Sequence, residues 1–162
     1  MIENTELILD SSVRLAATLL FAALGELVAE RAGTINISLE GIMLSGAFAA
    51  AYASSETGSP TIGLVVGVLV GGVIGWIHAN LSHRLAANQY VIGLVINLFA
   101  LGATSFLAAQ LMVRPVRFRI QTVPGLEAIP LLGTLFSQRT PFFLLYVLFP
   151  LIWWILYRTH WG

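Results

Sequence analysis

The sequence predicts an all-α protein, a polytopic transmembrane helical bundle of about five spans. Three observations carry the prediction. Of the 162 residues, 57% are hydrophobic and 10% charged, whereas a soluble domain carries about 25% charge. The mean hydropathy is +0.87. The apolar residues also fall into five stretches that approach the ~20 residues a helix needs to cross the hydrocarbon core. Eight basic and eight acidic side chains cannot build a water-facing shell around so much apolar chain. This argues against a soluble enzyme and against a disordered chain. A formal net charge of zero with no basic stripe argues against nucleic-acid binding.

The spans are expected near residues 12–28, 37–54, 61–81, 89–112 and 141–157, within a single domain over 1–162. Before the first, Glu3, Glu6 and Asp10 stand without a base, unlike the positive start of a secretory signal. A helix break follows at Gly33, in a short polar stretch. The second span repeats small residues at Gly41, Ser45, Ala49 and Ala53. In the third, Gly63, Gly67, Gly71 and Gly75 recur every fourth residue and share one helix face, which lets a neighbouring backbone approach closely in lipid. The fourth carries Asn97 near its middle and Gln89 a little over two turns earlier. The connection over 113–140 holds three prolines and Arg114, Arg117, Arg119 and Arg139. It is too polar to span, and a short interfacial helix is expected near Leu131–Phe136. Pro150 should kink the fifth span.

Polar groups inside spans are costly and mark function. The amides of Asn97 and Gln89 suit an uncharged polar solute; the alternative is an interhelical hydrogen bond. Glu26 and Glu30 form an i,i+4 like-charge pair that Arg31 could balance. If the helix break lies at membrane depth, Asn36 and Glu40 would line a solute cavity, sharing a face if the helix restarts near Asn36. His78, His83 and His160 show no ligand spacing and no cysteine is present, so no metal or other cofactor is expected. Asp10 is the only Asp, no GxSG motif occurs, and no GxxxxGK[ST] motif occurs. The chain is therefore not expected to be an intramembrane protease or to hydrolyse ATP.

Residues 25–48, GELVAERAGTINISLEGIMLSGAF, strongly resemble a signature of bacterial ABC-importer permeases. These belong to the branched-chain amino acid, ribose and nucleoside permease superfamily, and the resemblance is nearest to the smaller permease of nucleoside and simple-sugar importers. ANQYVIGLVINLFA (87–100), IPLLG (129–133) and YRTHWG (157–162) are similar to further stretches of that subfamily, in order along the chain. Members are roughly twice this length, so the chain resembles an N-terminal half. The resemblance implies a non-catalytic transport subunit of the bacterial plasma membrane. Its implied partners are a separate ABC ATPase subunit, a second homologous permease and an extracytoplasmic solute-binding protein. Charge alone favours the Arg14, Arg114, Arg117, Arg119 and Arg139 side as cytoplasmic. The resemblance instead places Arg31, Arg84 and Arg158 inside, which leaves Arg117 and Arg119 outside as candidates for docking the binding protein. A small membrane scaffold or assembly subunit and a homo-oligomeric channel are the alternative readings.

Overall fold

The computed structural model describes residues 2–122 and 137–159. The described residues are all-α apart from one short ribbon, and the chain forms two compact units, Ala29–Arg117 and Met1–Val28 with Phe118–Gly162. Among the described residues, four helices are long and apolar enough to cross a membrane, over Ile8–Arg31, Pro60–His83, Gln89–Gln110 and Thr140–Arg158.

The Ala29–Arg117 unit holds the end of α1 (Ile2–Arg31) and three whole helices: α2 (Leu39–Thr57), α3 (Pro60–His83) and α4 (Gln89–Gln110). Helix α1 ends where glycine permits it to end. Gly33 adopts φ +82°, its N–H donates to the Glu30 carbonyl at 3.0 Å, and the Thr34 N–H donates to the Ala29 carbonyl at 3.0 Å. This pair of bonds is the Schellman arrangement, which satisfies carbonyls that the helix end would otherwise leave open. Helix α2 closes on Gly58 at φ 67°, and Pro60 then starts α3, where its missing N–H costs nothing.

The glycine face of α3 packs against α2 in antiparallel fashion. A Cβ on Gly63 would stand 2.6 Å from the Ala50 carbonyl oxygen, and one on Gly67 2.8 Å from the Gly46 carbonyl oxygen. Farther along, the contact loosens: a Cβ on Gly71 meets the Ile42 side chain at 3.4 Å, and one on Gly75 meets it at 3.9 Å. Only the Gly63–Gly67 end is therefore a true backbone-to-backbone approach. The row of α2 that answers it is Ile42, Gly46, Ala50 and Ser54, one residue on from the expected row of Gly41, Ser45, Ala49 and Ala53. The offset has a cause: Gly41 is turned toward α4, where a Cβ would lie 2.8 Å from Asn97 Oδ1.

Helix α2 packs against both α3 and α4; it is 19 residues long but is not among the helices apolar enough to cross a membrane. Its sequence is Gly, Ala and Ser for much of its length, which suits a helix covered by neighbours better than one covered by lipid.

In the other unit, the face of α1 made by Ala17, Phe21 and Leu24 packs with Phe142, Leu145 and Ile152. The last two lie on α5 (Leu144–Arg158), which follows a 3-10 turn over Thr140–Phe143 and runs through Pro150. The polar connection adds one short ribbon to the all-α fold. Strands β1 (Ile120–Thr122) and β2 (Ser137–Arg139) pair antiparallel, with Gln121 opposite Gln138. A segment too polar to lie in lipid satisfies its backbone by pairing strands. The interfacial helix expected near Leu131–Phe136 lies outside the described residues. Near the start of α1, Asp10 accepts from Arg14 at 2.6 Å and from Gln138 Nε2 at 2.9 Å, tying β2 to the helix.

The glycine seam yields a graded prediction. Gly67→Ala should lower stability by about 1–3 kcal/mol, because the new methyl group meets rigid backbone. Gly71→Ala should be nearly neutral. Thermal unfolding of the two variants in the same detergent checks this, and equal melting temperatures would contradict it.

Candidate functional site

The residues between α1 and α2 are held by one edge of α4. The Gln89 side chain accepts a hydrogen bond from the Ile35 N–H at 3.1 Å. Eight residues later along α4 (about 12 Å at the helical rise), Asn97 makes two bonds. Its Oδ1 accepts from the Gly41 N–H at 2.7 Å, and its Nδ2 donates to the Ile37 carbonyl at 2.9 Å. Between them stands Gly93, buried, where a Cβ would collide with Ile37 Cβ. Gln89, Gly93 and Asn97 are spaced four apart and therefore share a face. Two amides thus flank a glycine, and the connector lies down along that row.

The local sequence explains why α2 needs this help. The first N–H groups of any helix have no partner within it, and a capping Ser usually accepts from one of them. Ser38 precedes α2 but makes no such bond; its hydroxyl donates instead to Asn36 Oδ1 at 2.6 Å. Ser38 is fully buried, so water cannot serve in its place. Asn97 supplies the missing acceptor from the neighbouring helix, at the third helical residue. At the start of α4 the ordinary device operates: the Asn88 side chain accepts from the Tyr90 N–H at 2.9 Å. On the opposite side of the connector, buried Thr34 is hydrogen-bonded to His83 at the end of α3. A cavity of about 350 Å3 opens beside this clamp, between the Gly33 turn and the connection from α3 to α4.

Asn97 and Gln89 are thus brought together on the connector, and both make the interhelical type of bond. Asn36 and Glu40 are not on one helical face. Helix α2 starts at Leu39 rather than near Asn36, because the Leu39 N–H bonds the Asn36 carbonyl in a turn at 3.2 Å; Asn36 stays in the connector and Glu40 is exposed. Glu26, Glu30 and Arg31 all belong to the C-terminal turns of α1, with Glu26 half-buried and the other two exposed. Arg117 and Arg119 are exposed in the extended segment before β1, and two-residue spacing there puts them on one side. That segment starts from α2, where the Arg114 N–H donates to Ser55 Oγ at 3.1 Å. The sequence reading missed Thr34, His83, Asn88 and Gly93. Only Gly93 carried a signal, as a helical glycine midway between two amides.

Membrane-length helices, a small-residue seam and polar clamps between helices define a multi-pass α-helical membrane protein. The chain belongs to the family described as branched-chain amino acid transport system / permease component, whose model matches residues 8–162. Membership in that family places it in the plasma membrane. It is 34% identical over 161 residues to a Haloferax volcanii protein named provisionally as a glucose ABC transporter permease, TsgC13, covering 96% of this chain and 49% of that one. It is 33% identical over 176 aligned positions to the guanosine ABC transporter permease protein NupQ of Bacillus subtilis, covering 100% of this chain and 55% of that one. The nucleoside ABC transporter permease protein NupC of Lactococcus lactis is 30% identical over the same coverage. The chain spans about half the length of the curated relatives it matches. No solved structure matches it.

Asn97→Leu should leave the Gly41 N–H and the Ile37 carbonyl unpaired; the buried Gly41 N–H alone should cost about 1–3 kcal/mol. Thermal unfolding should show the loss. Asn97→Asp, which keeps the acceptor for Gly41 but sets a carboxylate oxygen against the Ile37 carbonyl, should also melt below the wild type. Equal melting of the wild type and Asn97→Leu would contradict the clamp.

Proposed function

We propose that the chain forms part of the solute pathway of an ATP-driven ABC importer for nucleosides or simple sugars. One observation carries the reading: the whole chain aligns with permease proteins named for guanosine, nucleoside and glucose ABC transporters. On this reading residues 1–162 are part of a single transmembrane permease domain. The chain makes and breaks no covalent bond, and separate ABC ATPase subunits hydrolyse ATP. A second homologous permease completes the pathway, and an extracytoplasmic binding protein delivers the solute.

The polar clamp supports a division of labour among the candidate residues. Both ends of the Asn97 amide are engaged by backbone, so Asn97 shapes the pathway by fixing the connector. Gln89 uses its carbonyl oxygen on Ile35 and keeps its amino group for a ligand. Asn36 and Glu40, at the start of α2, border the same pathway. Glu26, Glu30 and Arg31 form a charged collar at the end of α1. Arg117 and Arg119 face outward and dock the binding protein, whose acidic partners they attract over a range set by salt.

Two experiments test this. Deleting the coding sequence from its native genome should abolish uptake of labelled guanosine, uridine or glucose, and undiminished uptake of all three would sink the proposal. For orientation, Val116→Cys should react with an impermeant thiol reagent on intact cells. Arg117→Glu with Arg119→Glu should slow association of the binding protein and leave ATPase activity measured without it unchanged. Labelling of Val116→Cys only after permeabilisation would reverse the orientation and remove the docking role.

A further inference from the structure

The cavity of about 350 Å3 beside the clamp falls in the size range of small-molecule sites, roughly 300–1,000 Å3. Its walls carry Thr34, Ser82, His83, Asn88, Gln89 and Tyr90, with no carboxylate, guanidinium or ammonium among the lining groups. The fold uses only part of the hydrogen-bonding capacity of these residues. Asn88 Oδ1 is taken by the Tyr90 N–H and Gln89 Oε1 by the Ile35 N–H. Each amide therefore keeps its NH2 group, with two donors. The Ser82 hydroxyl is buried without a hydrogen-bond partner. Tyr90 is 55% exposed, and its ring offers an apolar face with a polar tip. The bond between Thr34 and His83 fixes the far wall.

An ion entering this cavity would give up water and find no opposite charge, which is costly. A neutral molecule with acceptor atoms around a ring would find amide donors and an aromatic surface together. We propose that this cavity is a binding site for a neutral, ring-bearing polar solute, of the nucleoside or monosaccharide kind, at the membrane face where α1 ends and α4 begins. The proposal rests on the permease reading above and deepens it by locating a solute site at one mouth of the pathway.

The test uses the chain in lipid nanodiscs and equilibrium dialysis with labelled uridine and, separately, labelled glucose. Saturable binding of one of them is expected, and the one that binds identifies the solute class. The double variant Asn88→Asp with Gln89→Glu retains both acceptor oxygens that the fold uses and removes the amide donors. It should keep the wild-type melting temperature and bind at least tenfold more weakly. Tyr90→Ala removes the ring, leaves the backbone bond to Asn88 in place, and should also weaken binding; it decides the matter if the double variant melts early. Absence of saturable binding of both probes, or equal binding by the wild type and the variants, overturns the site. Loss of uptake on gene deletion with no binding here overturns the cavity alone. Binding here with uptake unchanged by deletion overturns the permease reading alone.

Discussion

A backbone N–H group buried away from water must find an acceptor or carry a cost comparable to a lost hydrogen bond, and in lipid no solvent can supply one. The start of α2 meets that constraint with its own cap diverted, since the Ser38 hydroxyl is spent on Asn36. The Asn97 amide resolves it from α4, accepting from Gly41 and donating to Ile37. An amide carries a donor group and an acceptor oxygen at one end of the side chain, so one residue closes both bonds at once. The rest of the Ala29–Arg117 unit is arranged so that this bond can form. Gly41 and Gly93 leave room for the close approach, and the Gly33 turn releases the chain from α1 in time to reach it.

The same logic sets the composition of α2. A helix clasped by α4 at its start and by the Gly63–Gly67 end of α3 along its length needs small side chains more than apolar ones. Its hydropathy falls accordingly, and large hydrophobic residues collect on its neighbours, where Val68, Leu69, Phe99 and Phe106 stand exposed to the surroundings. Polar connection and scaffold are thus parts of one solution. Tight packing requires small residues, small residues bring backbone close to backbone, and close backbone needs the amides of α4 to complete its hydrogen bonds.

Much of this was legible in the sequence. Helix period, span length and the glycine repeat of α3 follow from local chemistry that each segment carries by itself. Asn97 and Gln89 stood out because amides in an apolar run are costly. Their partners were not legible, because Ile35, Ile37 and Gly41 contribute backbone atoms, and backbone leaves no trace in residue type. Which row of α2 faces α3 is not legible for a related reason: small residues occupy two adjacent rows, so composition alone does not tell them apart. That α2 restarts at Leu39 and not near Asn36 depends on the turn in which the Leu39 N–H bonds the Asn36 carbonyl, a backbone bond that residue type does not reveal. The ribbon joining Ile120–Thr122 to Ser137–Arg139 was missed because its strands are three residues each and their pairing is set by a partner distant in sequence.

Amide hydrogen exchange at Gly41 tests the central claim most directly. As the third residue of α2, its N–H has no intrahelical acceptor, so protection there can come only from Asn97. The account predicts slow exchange at Gly41 in the wild type and fast exchange in Asn97→Leu, with the amides in the middle of α3 unchanged between the two. Fast exchange at Gly41 in the wild type, or the same slow rate in both proteins, would contradict it.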